Sequence, residues 1–117
     1  ELEGAVLVSI HQNTFPQSKY HGTQVFFAPT QGSQALAETC QQAIHTSLQP
    51  DNSRQAKPIA DNVYLMNHVD CPAVLVECGF LSNSDELTQL KSPSYQTKLA
   101  CILMAAAMDL TDGEDQM

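Results

Sequence analysis

The sequence predicts an α/β fold, a mostly parallel or mixed twisted sheet flanked by helices, and three observations carry that expectation. Gly4-Ala5-Val6-Leu7-Val8-Ser9-Ile10 and Ala73-Val74-Leu75-Val76 are short, nearly unbroken apolar runs, the signature of strands buried on both faces. Two other stretches repeat their apolar residues at helical spacing: Leu36, Cys40, Ala43, Ile44 and Leu48, and later Tyr95, Leu99, Ile102, Leu103, Ala106 and Leu110. Strands alternating with helices make a layered α/β domain, and no internal repeat interrupts the pattern.

Each element has its own punctuation. The first run ends as a strand at His11, and residues 12–21 are polar, contain Pro16 and show no period, so they read as a loop. Residues 22–28 form a second strand that stops before Pro29. Ser33 caps the first helix, which ends ahead of Pro50. Residues 50–60, with Arg54 and Lys57, read as a connection with room for a helical turn, and residues 62–66 as a short strand. Pro72 opens the strand at 73–76 and Gly79 closes it. Asn83 with Glu86 three residues later marks the start of a short helix through Leu90, and Ser92-Pro93 starts the last helix. Residues 111–117 read as a disordered tail.

A chain of 117 residues supports one domain, here 1–110, burying about 65% of the surface that its unfolded form exposes. The net charge is −8 with five Lys and Arg spread along the chain, which leaves no electrostatic footprint for nucleic acid or an anionic membrane. The longest apolar stretch, 99–108, is well short of the roughly 20 residues that cross a bilayer. The chain opens at Glu1 with no basic-then-apolar leader, which reads as processing or trimming rather than a native start. Cys40, Cys71, Cys78 and Cys101 lack metal-finger or C-x-x-C spacing and read as free thiols, three of them in packed helix or strand.

The chemistry centres on Glu77, placed inside the apolar run that ends Val76-Glu77-Cys78-Gly79-Phe80. A carboxylate there is neutral, paired or working, because burying it without compensation costs several kcal/mol or raises its pKa. At the carboxyl end of a central strand it stands where open α/β sheets bind ligands, as does His11. The plainer alternative is a strand-end glutamate that bends out to solvent or meets one of the few bases.

Ser9-Ile10-His11-Gln12-Asn13 and Val74-Leu75-Val76-Glu77-Cys78-Gly79-Phe80-Leu81-Ser82-Asn83 together resemble the zinc-dependent N-acetylmuramoyl-L-alanine amidases of the Amidase_3 family. Gly22-Thr23-Gln24-Val25-Phe26-Phe27, Asn52-Ser53-Arg54-Gln55-Ala56-Lys57, Val63-Tyr64-Leu65-Met66 and Tyr95-Gln96 follow in that family's order, most like the germination-type enzymes that process spore cortex. The resemblance spans about residues 5–110 and implies a phosphorylase/hydrolase-like three-layer fold. It implies that His11 binds zinc, that Glu77 is the catalytic residue, and that Asn13 and Arg54 lie near the substrate. The implied substrate is peptidoglycan, cut at the amide between N-acetylmuramic acid and L-alanine, and the implied location is extracytoplasmic, at the cell wall or spore cortex. Zinc lowers the pKa of bound water toward about 7, and a neighbouring carboxylate then carries the proton.

The sequence also departs from the family. A G-H-G-G-like strand end and a following glutamate, which supply the other zinc ligands, have no counterpart, and both would precede Glu1. The expected domain is therefore N-terminally incomplete, with His11 one ligand where three are usual, and this chain inactive by itself. His21, His45, His68, Glu1 and Glu3 match no family ligand. An incomplete sheet exposes an edge and apolar surface, so a homodimer through that face or edge is expected. The competing expectation is a short form that keeps the fold without the metal site and serves as a peptidoglycan- or partner-binding module.

Overall fold

The computed structural model describes residues 4–13, 21–80 and 83–115. Strands β1 (Leu7–Asn13), β2 (Gln24–Phe27), β3 (Lys57–Pro58) and β4 (Ala73–Phe80) form one sheet in the order β1-β4-β2-β3. β4 lies parallel to β1 and antiparallel to β2, and β2 is parallel to β3, so the sheet is mixed. The two apolar runs of the sequence are thus adjacent strands. β4 is longer than the sequence suggested: it passes through Glu77 and Gly79 to Phe80, and Glu77 stands inside it rather than at its end. β1 likewise continues past His11, with a register shift between His11 and Asn13.

Helix α1 (Ser33–Ser47) and helix α4 (Pro93–Asp115) cover one face of the sheet. Val25, Val74, Val76 and Cys78 point to that face and pack against Leu36, Ala37, Cys40 and Ile44 of α1 and Leu99, Leu103 and Ala106 of α4. All of these helix residues but Ala37 belong to the periodic sets of the sequence. Leu36 and Ile44 are fully buried, each stabilising the fold by about 1.5–3 kcal/mol. α4 runs through Asp115, so its last turns occupy part of the stretch expected as a disordered tail; 116–117 lie outside the described residues. No proline breaks α4 after Pro93, and the helical hydrogen bonding simply propagates past Leu110.

Three local expectations change. The N-cap of α1 is Gly32, at φ 88°, not Ser33. Ser33 is buried, and its Oγ instead accepts the Ala73 N–H at 2.9 Å and bonds Thr30 Oγ1 at 2.7 Å, fastening the start of β4 to the start of α1. Residues 62–66 are not a strand: α2 (Tyr64–His68) is a helical turn that follows Val63. A short apolar run is ambiguous between the two, and here burial of Met66 against Ala28 and Ala73 favours the helix. The connection after Pro50 contributes the short β3 rather than a helical turn. The cap predicted at Asn83 is present, its Oδ1 accepting from the Asp85 and Glu86 N–H groups at the start of α3 (Ser84–Leu90). The four cysteines are free thiols, with Cys40 and Cys78 buried and Cys101 exposed.

Candidate active site

Parallel pairing of β1 with β4 places His11 directly opposite Glu77. Antiparallel pairing on the other side of β4 places Gln24 opposite the same glutamate. Residues in register share a sheet face, so His11, Glu77 and Gln24 form a row across three strands, on the face away from α1 and α4. His11 is exposed, and its Nε2 is hydrogen-bonded to Ser9 Oγ at 2.8 Å, two residues back on that face. Glu77 is only 7% exposed. Burial raises its carboxyl pKa, and the neighbouring His11 charge offsets part of that rise. A carboxyl held nearer neutrality than usual beside an imidazole can take and return a proton, which is the chemistry required of a general acid–base group.

β4 extends beyond Glu77 because Gly79 has no side chain. A Cβ at Gly79 would stand 2.8 Å from Glu86 Oε1, inside contact distance. Glu86 is buried beneath the strand, and its Oε2 accepts the N–H of Gly22. Gly22, at φ 94°, begins the segment that leads into β2, and buried polar side chains hold that segment from several directions. Thr23 Oγ1 donates to the Cys78 carbonyl, Asn52 Nδ2 and Gln41 Nε2 donate to the Thr23 carbonyl, and Gln49 Oε1 accepts the Thr23 N–H. Gln41 Oε1 also accepts the Val25 N–H, so this α1 side chain completes the edge of β2 where β3 is too short to reach. The loop return beside the site is therefore fixed by hydrogen bonds rather than by apolar packing. Neutral bonds of this kind are each worth about 0.5–1.5 kcal/mol and more to the charged Glu86.

Arg54 joins this wall. Its Nε and Nη2 donate to the His21 carbonyl and its Nη1 to Gln24 Oε1, so it sits one side chain away from the His11–Glu77–Gln24 row. It also lines a cavity of about 360 Å³ with Glu38, Gln41, His45 and Asn52. Asn13 ends β1, paired with Phe80, and its side chain lies outside the described residues, as do Glu1 and Glu3. The other histidines are elsewhere. His45 bonds the Asn52 carbonyl, His68 lies in α2 bonded to the Tyr64 carbonyl, and His21 precedes Gly22.

Catalytic zinc is ordinarily held by three protein ligands. Among the described residues, no group of three or more His, Cys, Asp or Glu side chains converges in a way that could hold a metal ion. His11 with Glu77 is a donor pair, and the described residues do not by themselves complete a zinc site.

Sequence reasoning named His11 and Glu77 but not that they are register partners, which follows only from strand order. It gives no role to Gln24 and Ser9, which appear there only within motifs and are neighbours of the pair on the same face, or to Glu86 beyond its helix-start role. The signal for Glu86 was present in Gly79, a glycine inside a strand that marks a close approach.

Residues 1–108 match the Amidase_3 family, N-acetylmuramoyl-L-alanine amidase. The germination-specific N-acetylmuramoyl-L-alanine amidase of Bacillus subtilis (strain 168) is 37% identical over 99 residues, 84% of this chain and 41% of that relative. The solved structure of the CwlD amidase from Clostridioides difficile, in complex with the GerS lipoprotein, superposes with a TM-score of 0.86 at 37% identity, covering 92% of this chain and 54% of that one. The catalytic domain of CwlV, an amidase from Bacillus (Paenibacillus) polymyxa var. colistinus, superposes at 0.75 with 27% identity, covering 92% and 57%. The chain thus spans about half the length of these solved structures and about two-fifths of the curated relative. With its mixed sheet, its flanking helices and His11 opposite Glu77, the chain belongs to the Amidase_3 family of N-acetylmuramoyl-L-alanine amidases.

Proposed function

We infer that the protein carrying this chain is a zinc-dependent N-acetylmuramoyl-L-alanine amidase acting on peptidoglycan outside the cytoplasm, in the cell wall or spore cortex. The observation that carries this reading is the register pairing of His11 with a buried Glu77 whose carboxyl pKa is raised. In this reading Glu77 accepts a proton as water adds to the lactyl-amide carbonyl. It returns that proton to the departing L-alanine nitrogen as the C–N bond breaks. His11 is the chain's zinc ligand, and Asn13 and Arg54 contact substrate. Zinc would polarise the carbonyl, with its remaining ligands lying outside the described residues or on a second copy.

Hydrolysis of a muropeptide by the zinc-loaded native protein, read as new L-alanine amino groups, tests this. Glu77→Gln is expected to lower kcat by about 10²–10⁴-fold. A rate within threefold of the parent removes Glu77 from the reaction.

The donor count favours one second reading, in which this chain alone is inactive and serves as a peptidoglycan- or partner-binding module. Zinc-independent binding to insoluble peptidoglycan, with no hydrolysis at any zinc concentration, is its signature. Ile10 on the outer strand β1 and Met104 and Met108 on α4 are exposed, and we extend either reading to a homodimer through that side. A single monomeric mass by light scattering at micromolar concentration would remove the dimer.

A further inference from the structure

The edge of β2 is open beside the His11–Glu77–Gln24 row. Among the described residues β3 pairs only with Phe26 and Phe27, so side chains and not a strand satisfy the outer backbone groups of Val25. Gln41 Oε1 accepts the Val25 N–H at 2.8 Å, and Gln24 Nε2 donates to the Val25 carbonyl at 3.1 Å. Gln24 Nε2 also donates to the Gln55 carbonyl at 2.7 Å. Gln24 is only 3% exposed, and its amide thus bends round the β2 edge although the residue stands opposite Glu77 in the sheet.

These contacts decide which way the amide points. Its NH2 group meets two carbonyl oxygens, and turning it over would set Oε1 against both, so Oε1 is the end that faces Arg54. Arg54 Nη1 donates to that oxygen at 3.4 Å. The rest of Arg54 is tied to the same segment. Asn52 Oδ1 accepts its backbone N–H at 2.9 Å, and the His21 carbonyl accepts from Nε at 3.3 Å and from Nη2 at 3.1 Å. Gly22 leaves room for this approach, since a Cβ there would stand 3.5 Å from Arg54 Nε and 3.3 Å from Asn52 Nδ2. One carbonyl oxygen fixes an edge of the guanidinium but not its tilt. The bond from Nη1 to Gln24 is a second anchor, and two anchors orient a planar fork.

We propose that Gln24 is a positioning residue for the amidase reaction, acting through Arg54: by offering Oε1 to Nη1 it holds the guanidinium beside the row before substrate arrives. An arginine ordered in advance loses less freedom on binding, so the contribution falls on substrate affinity and not on the bond-breaking step. This rests on the amidase reading, in which Arg54 contacts substrate, and adds the residue that presents it. The two ends of one amide then have separable tasks. Nε2 closes the β2 edge, and Oε1 orients Arg54.

Gln24→Met removes both ends of the amide at similar length, whereas Gln24→Glu removes the Nε2 donor and keeps an oxygen acceptor for Arg54. With the zinc-loaded native protein and a muropeptide, Gln24→Met is expected to raise KM about 2- to 12-fold, the range for immobilising one long side chain, with kcat within about twofold. Gln24→Glu should keep KM within about twofold. In an Arg54→Ala background Gln24→Met should change KM no further, because its effect passes through Arg54. Nitrogen-15 relaxation of the Arg54 Nε–H reads the same contact without substrate. Its order parameter should fall below about 0.6 in Gln24→Met and stay at the parent value in Gln24→Glu. If Gln24→Met does not fold, Gln24→Glu decides alone, and an Arg54 that loses its order there overturns the proposal. So does a Gln24→Met protein with parental KM or parental Arg54 order, a Gln24→Glu protein with KM raised as far as in Gln24→Met, or the same rise in KM with and without Arg54. A native protein that cleaves no muropeptide, yet loses Arg54 order in Gln24→Met, sinks the amidase reading and leaves the Gln24–Arg54 coupling. One that cleaves with KM unchanged in Gln24→Met sinks the positioning role alone.

Discussion

Replacing Gly79 with alanine tests how the strand that carries Glu77 is supported. The new Cβ would stand 2.8 Å from Glu86 Oε1, 3.2 Å from Glu86 Cδ and 3.3 Å from Leu90 Cδ1. Glu86 is buried and accepts the Gly22 N–H, so its carboxylate has two choices. It can stay, with overpacking that costs about 1–3 kcal/mol, or retreat and give up a hydrogen bond to a charged group worth about 1.5–3 kcal/mol. Gly79 does not have positive φ, so alanine itself fits the backbone and restricts the unfolded chain, returning about 0.4–1 kcal/mol. The net expectation is a loss of about 1–2.5 kcal/mol, which in a chain this size lowers Tm by about 4–10 °C. Urea unfolding of the parent, Gly79→Ala, Glu86→Ala and the double variant measures it. With Glu86 shortened, Gly79→Ala should cost nothing or stabilise. An equal cost in both backgrounds, or no cost in the parent, would refute the contact.

Three further outcomes follow from the same contacts. Ser33→Ala strips the Ala73 N–H of its acceptor at a buried position and should destabilise by about 1–3 kcal/mol in urea unfolding, with the loss of α1 helicity small because Ser33 is not its cap. Glu77, its carboxyl pKa raised by burial, should make stability fall as pH rises from the ordinary carboxylate value, about 4.3, through the higher folded value. Glu77→Gln should abolish that fall while matching the parent below about pH 4, and a parallel decline in both proteins would contradict the burial argument. Iodoacetamide at pH 8 should label Cys101 first, because burial pushes Cys78 up to about 11, with the Glu77 charge adding to it, and Cys40 up to about 11; labelling of Cys40 before unfolding, seen by mass spectrometry, would overturn this.

The legible parts of the fold were those that a single physical signal decides. Unbroken apolar runs mark β1 and β4 as strands, although β1, expected to be central, is the outer strand of the described sheet and of the two only β4 is central. The spacing of Leu36, Cys40 and Ile44 or of Leu99, Leu103 and Ala106 marks the helices that cover them. Asn83 was readable because its side chain acts on backbone only two and three residues away. The bonds that shape the wall of the site join residues far apart in the chain, such as Gly22 with Glu86 or Val25 with Gln41, and polar residue types at those positions look like any exposed loop. Residues 62–66 read as a strand in the sequence because five residues hold too little period to separate strand from helix, and only contact of Met66 with Ala28 and Ala73 decides for α2. His11 and Glu77 were found from their surroundings and the resemblance, whereas their direct opposition needed the sheet.

Zinc binding to this chain is the most direct measurement of the claim that His11 and Glu77 are working parts of an amidase site that the described residues do not complete. Calorimetry with zinc, on the parent and on His11→Ala, should show weak binding to the parent, with Kd above about 1 μM, and less in the variant, since His11 is one donor where three are usual. Nanomolar binding of one zinc per chain that survives in His11→Ala would contradict both the metal role of His11 and the incomplete site.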